Sequence, residues 1–241
     1  MMARSVLEED EAEGFKTGMQ SFMELKIIEH GENEVKIALS GVKVRFANAL
    51  RRAMIAEVPK LAIDEVNIYE NNSLLYDEDL ALRLGLIPLK TDDLSSYSDE
   101  DRISITLEAQ SPDRAGYTMV YSKELISSDP HVEPAFDNIP IVKLISTERE
   151  ISGMRSVAGQ KISIEAIARR GIGKEHAKWQ PVTSCSFKEL KNVPRKANSE
   201  QLLFTIEGDG SLPVDDIVIE AARILRDKCN RLIEELANPR E

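Results

Sequence analysis

Residues 44–58, VRFANALRRAMIAEV, place Ala47, Leu50, Met54 and Val58 three or four positions apart. That spacing returns once per helical turn, so the segment is expected to form a helix with one apolar stripe, and something must cover the stripe. Arg45, Asn48 and Arg52 line a different face, and Arg51 adds another positive charge. Pro59 stops the helix, because its ring removes an amide donor and clashes with the preceding turn. The end of the chain repeats the theme at greater length. Val218, Ala222, Leu225, Cys229, Leu232 and Leu236 are spaced 4, 3, 4, 3, 4, a seam of nearly three heptads. Pro213 suits the first turn of this helix, and Asp215 and Asp216 favour its positive end. Such a seam serves equally as the core of a monomer or as a contact with another chain. A Cys229 thiol on it reads as a small apolar filler.

Outside the two helices the apolar residues alternate. Leu25 and Ile27, then Val35, Ile37 and Leu39 beyond Gly31, predict two half-buried strands joined as a hairpin. Further strands are expected over residues 63–69, around Ile103 to Leu107, Tyr117 to Tyr121, Ile162 to Ala168, Val182 to Phe187 and Leu202 to Glu207. Asp77 is placed to cap a short helix holding Leu80, Leu82 and Leu84, ended by Gly85 and Pro88. Residues 127–140, with their prolines, read as loop, and Gly208-Asp209-Gly210 as a turn. The expected class is α+β with antiparallel pairing. Residues 1–18 carry Glu8, Glu9, Asp10, Glu11 and Glu13 with almost no apolar periodicity, and predict a disordered acidic leader.

The charge balance limits the function. Forty-two acidic residues against 31 basic ones leave a formal charge of -11, the wrong sign for a chain whose main task is gripping phosphates. No apolar run is long enough to cross a bilayer, and the acidic N-terminus does not resemble a signal peptide, so a cytoplasmic protein is expected. Two cysteines, Cys185 and Cys229, and three scattered histidines, His30, His131 and His176, form no metal motif. Gly171-Ile172-Gly173 lacks the remaining elements of a phosphate loop. Lys174, Glu175 and His176, if on extended chain, point to alternating sides and cannot converge as an acid–base set. Glu57, Asp64 and Asp209 show no spacing of paired carboxylates.

The run 44–64, the segment Leu82-Arg83-Leu84-Gly85-Leu86-Ile87-Pro88-Leu89 and the segment 170–179 together resemble the D family of archaeal RNA polymerase subunits, related to the bacterial polymerase alpha subunit. The likeness spans most of residues 23–241. It implies a discontinuous dimerisation domain, an antiparallel sheet with two helices, over residues 19–60 and 177–241. A mixed, mainly β domain is inserted at 61–176. It further implies a non-catalytic assembly subunit that shares in nucleotidyl transfer only within the polymerase, forms a heterodimer with subunit L, and carries the large catalytic subunits and small zinc-binding accessory subunits. DNA is met only through that complex.

On this resemblance Phe46, Ala47, Leu50, Met54, Val58, Val218, Ala222, Leu225, Cys229, Leu232 and Leu236 face subunit L. Arg45, Asn48, Arg51, Arg52, Lys174, Glu175, His176, Lys178 and Trp179 receive the large subunit, with Trp179 as a packing anchor. Some family members carry a cysteine-rich iron–sulfur insert, and eukaryotic relatives a zinc loop. This sequence departs from both, so no cofactor is expected. From pattern alone Arg45, Arg51 and Arg52 read as a solvated helix face, and the rival function is a nucleic-acid-binding module using them.

Overall fold

The computed structural model describes residues 23–91, 94–151, 154–190 and 201–237. The leader expected over residues 1–18 lies outside them. Along the chain run β1 (Glu24–His30), β2 (Glu34–Ser40), α1 (Val44–Ala56), β3 (Pro59–Asn71), α2 (Asp77–Gly85), β4 (Leu89–Thr91), β5 (Ile103–Gln110), β6 (Gly116–Tyr121), β7 (Ile126–Ser127), β8 (Val132–Pro134), β9 (Pro140–Ile151), β10 (Met154–Ala158), β11 (Lys161–Ile172), β12 (Val182–Glu189), β13 (Gln201–Gly208) and α3 (Val214–Ala237). The class is α+β, and every strand pairing among these is antiparallel.

One sheet runs in the order β1-β2-β13-β12. Its register sets Ile37 opposite Phe204 and Leu39 opposite Leu202, so alternation along both strands delivers these side chains to one face. Onto that face α1 presses Ala47, Leu50, Ala53 and Met54, and α3 presses Val214, Ile217 and Ala221, closing one hydrophobic core. Each large side chain withdrawn from water there contributes about 1.5–3 kcal/mol.

A second core draws on residues 61–168. It lies among the sheet β3-β11-β5-β7, the sheet β10-β9-β6 and α2, which buries Leu80 and Leu84. The chain passes between the cores at Val58-Pro59-Lys60 and again after Ile172.

Four expectations change. β1 is exposed along its whole length rather than half-buried, because it is an edge strand and the helices lie over β2, β13 and β12 instead. Asp77 is the first helical residue and not the cap, which falls at Tyr76. Its carboxylate accepts from Asn71 Nδ2 at 2.7 Å. The stretch 127–140 contains β8, and β9 and β10 add a hairpin that periodicity did not reveal. Finally, residues 173–175 form a turn, Glu175 N donating to Ile172 O at 3.0 Å, so Lys174 and Glu175 are not on extended chain, while His176 is.

Candidate subunit interfaces

Helix α3 has two unlike halves. Its first half sits on the sheet through Val214, Ile217 and Ala221, with Val218, Ile224 and Leu225 half-buried beside them. From Arg226 to Ala237 every residue is exposed, over about 18 Å of helix at the usual 1.5 Å rise. That stretch is not polar: Leu232 is 57%, Ile233 63% and Leu236 73% exposed, and Cys229 stands among them. Lys228 ties the helix back to Glu57 at the end of α1.

A second exposed apolar surface lies on β1. Leu25 lies opposite Leu39 and Ile27 opposite Ile37, so both point to the helix-bearing face, yet they remain 50% and 53% exposed. Isolated helices of this length are marginal in water, and contiguous exposed apolar side chains mark a surface that another protein covers.

Helix α1 corrects half of the expected pairing surface. Ala47, Leu50, Met54 and Val58 are buried in the chain's own core, so its sheet covers the stripe and leaves nothing there for a partner. Phe46, with Val44, is exposed at the helix start. Of the seam on α3, Ala222, Cys229, Leu232 and Leu236 are exposed, while Val218 and Leu225 are half-buried. Leu25, Ile27, Ile219 and Ile233 were missed. The last two are apolar positions flanking the heptad seam and were visible in the sequence.

Arg45, Asn48 and Arg52 are exposed on the outer face of α1. Arg51 is half-buried and engaged within the helix, its Nε and Nη2 donating to Asn48 Oδ1 at 3.2 and 3.1 Å. It also faces Cys185 on β12. Burial pushes that thiol up to about 11, against a smaller downward pull from the Arg51 charge.

The turn after β11 is built around Trp179. The ring is buried, with the Arg169 guanidinium 4.3 Å and the Lys178 ammonium 4.4 Å from its centre. Asp64 binds both cations, accepting from Arg169 Nε at 2.6 Å and from Lys178 Nζ. A bulge puts it there: Ile63 pairs with Ala168 and Glu65 with Ile167, leaving Asp64 as the extra residue whose side chain is re-aimed. Burial would raise the Asp64 pKa, but the hydrogen bonds from Lys178 and Arg169 outweigh it and hold the carboxyl below its usual range.

Trp179 and Lys178 are therefore structural here, one buried and the other tied to Asp64, whereas Lys174, Glu175 and His176 of the same expected docking set are exposed. Lys174 N donates to Ala56 O at 2.8 Å, which seats this turn on the end of α1 and groups it with the arginine face. Glu57, Asp64 and Asp209, unremarkable by spacing, each hold a lysine from a distant part of the chain. These surfaces offer shape, apolar area and charge, which is chemistry for binding.

Among the described residues no three His, Cys, Asp or Glu side chains converge as a metal site, and no helix is long and apolar enough to cross a membrane.

The family model described as the RNA polymerase Rpb3/Rpb11 dimerisation domain matches residues 36–229. The chain is similar to the DNA-directed RNA polymerase subunit Rpo3 of Methanosarcina acetivorans, 33% identical, with 88% of this chain and 97% of that protein covered. It is also similar to the Rpo3 subunits of Pyrococcus furiosus, 36% identical over 89% and 97% of the two chains, and Thermococcus kodakarensis, 36% identical over 89% and 98%.

Proposed function

Because this chain belongs to the RNA polymerase Rpb3/Rpb11 dimerisation family, we propose that it is the non-catalytic assembly subunit of an archaeal DNA-directed RNA polymerase that pairs with subunit L. The observation that carries this reading is the second half of α3, where Cys229, Leu232, Ile233 and Leu236 stand in water on a helix that the other described residues do not cover. Subunit L seats on that seam and on the exposed Leu25 and Ile27 of β1, completing the first core. Residues 19–60 and 177–241 act as the dimerisation domain, and 61–176 as the insert. Arg45, Asn48 and Arg52, with Lys174, Glu175 and His176 beside them, form the platform for the large catalytic subunit. Arginine suits that task, since its planar fork makes paired hydrogen bonds at interfaces.

In this reading nucleotide addition occurs in the large subunits, the small zinc-binding subunits attach to the same scaffold, and this cytoplasmic chain needs no cofactor of its own. Cys185 on β12 and Cys229 on α3 sit on separate elements of the fold. Co-expression with an archaeal subunit L and native mass measurement test the proposal. A stable one-to-one complex is expected. A monomer indifferent to L overturns it.

A further inference from the structure

Lys60 is a charged residue placed where charge is costly. Its side chain is only 4% exposed and forms an ion pair with Asp209, itself 14% exposed. The two meet at the junction between the cores: Lys60 is the second residue of β3, directly before Leu61 of the second core, and Asp209 sits in the turn that launches α3. Asp209 organises that turn as well. Its Oδ1 accepts from the amide and hydroxyl of the buried Ser211 at 3.0 and 2.5 Å, and its own amide donates to Pro181 O at 3.0 Å. The next residue, Gly210, has φ +85° and faces Phe136, a 42% exposed residue on the connection between β8 and β9, so closely that a Cβ would lie 2.9 Å from the ring. A buried ion pair adds little net cohesion compared with apolar side chains of similar volume, but it is directional.

Direction matters at this point because α3 is a lever. The helix is about 36 Å long, so a tilt of about 10° at its start moves its far end by about 6 Å, more than a side-chain contact tolerates. We infer that Lys60 and Asp209 are positioning residues that aim α3 from β3, the strand that continues into the second core, and so couple the inserted part of the chain to subunit pairing. The consequence for pairing rests on the function proposed above. The aiming of α3 does not. Coupling of this kind is reciprocal, so whatever binds the insert is felt at the seam, and pairing is felt at the insert.

The test uses the full chain, alone and co-expressed with subunit L, as Lys60→Met and Asp209→Asn, with Leu232→Asp as control. In both latch variants hydrogen exchange of amides 211–221 is expected to quicken at least tenfold while β5 and β11 keep their protection, and the affinity for L to fall at least tenfold. The Leu232→Asp control loses L yet exchanges normally, which separates the two ideas. Unchanged exchange at 211–221, or equal acceleration throughout the chain, overturns the latch. Should Lys60→Met fail to fold, Asp209→Asn decides, because its side-chain oxygen still serves Ser211.

Discussion

Gly171 and Trp179 meet with no room between them: a Cβ on residue 171 would lie 2.4 Å from Cε2 of the indole. The ring cannot retreat, being buried between Arg169 and Lys178. Gly171→Ala is therefore expected to destabilise the chain by about 1–3 kcal/mol, the usual cost of overpacking. Trp179 is the single tryptophan, so its fluorescence should follow denaturant unfolding and already be red-shifted in the folded variant. An unchanged midpoint and emission maximum would mean that the turn shifts freely.

Acid should loosen the same cluster. Asp64 has a depressed pKa in the folded chain, because the bonds from Lys178 and Arg169 overcome the effect of burial. A carboxyl that is more acidic when folded supports the fold above its unfolded pKa, near 3.8, and loses that support as pH falls through the lower folded value. Tryptophan-detected unfolding at pH 7 and at stepwise lower pH should show Asp64→Asn weaker than the parent at neutrality, with the two converging in acid. A constant difference at every pH would remove Asp64 as the cause.

How far residues alone reached is clearest on the helices. The stripe on α1 announced burial correctly, but periodicity cannot say whose surface does the burying, and Ala47 and Met54 turned out to be covered by the chain's own sheet. On α3 the seam runs on for turns after the core has ended at Leu225, so one pattern served two environments. The β9 strand escaped for a local reason. Ile141, Val142 and Leu144 are all buried, because the pairing slips between Val142 and Pro140 and leaves Ile141 as an extra residue, which spoils the alternation. Trp179 looked like an anchor for another protein and instead anchors its own turn, a distinction carried by Asp64, distant in sequence.

The split character of α3 separates fold from pairing. Leu232→Asp with Leu236→Asp places charge where water already is, so the thermal midpoint of the isolated chain should not fall. Co-purification with subunit L should be lost. Met54→Ala makes the opposite pattern, opening a cavity in the first core at a cost of about 2–5 kcal/mol. If both changes act alike on monomer stability, the seam is internal after all.

The arginine face is tested at Arg45 and Arg52 and not at Arg51. Arg51 is held by Asn48, so changing it alters the helix itself. Arg45→Glu with Arg52→Glu alters only exposed charge and should leave both folding and pairing with L intact while blocking recruitment of the large subunit in a reconstitution assay. Normal recruitment would remove the docking role. Salt-sensitive DNA binding by the isolated chain, abolished by the same change, would favour the nucleic-acid module instead.

The two cysteines report on pairing without any substitution. Cys185 is part-buried on β12, and burial raises its thiol to about 11, so little thiolate is present at pH 7.5. Cys229 is exposed on the overhanging part of α3, in the middle of the seam. A maleimide at that pH should label the isolated chain once, at Cys229, with Cys185 reacting only on unfolding. Pairing with L covers the seam and should suppress that label, giving a complex that stays unmodified until it dissociates. Labelling of Cys229 at equal rates with and without bound L would place the partner elsewhere, even if a one-to-one complex had formed.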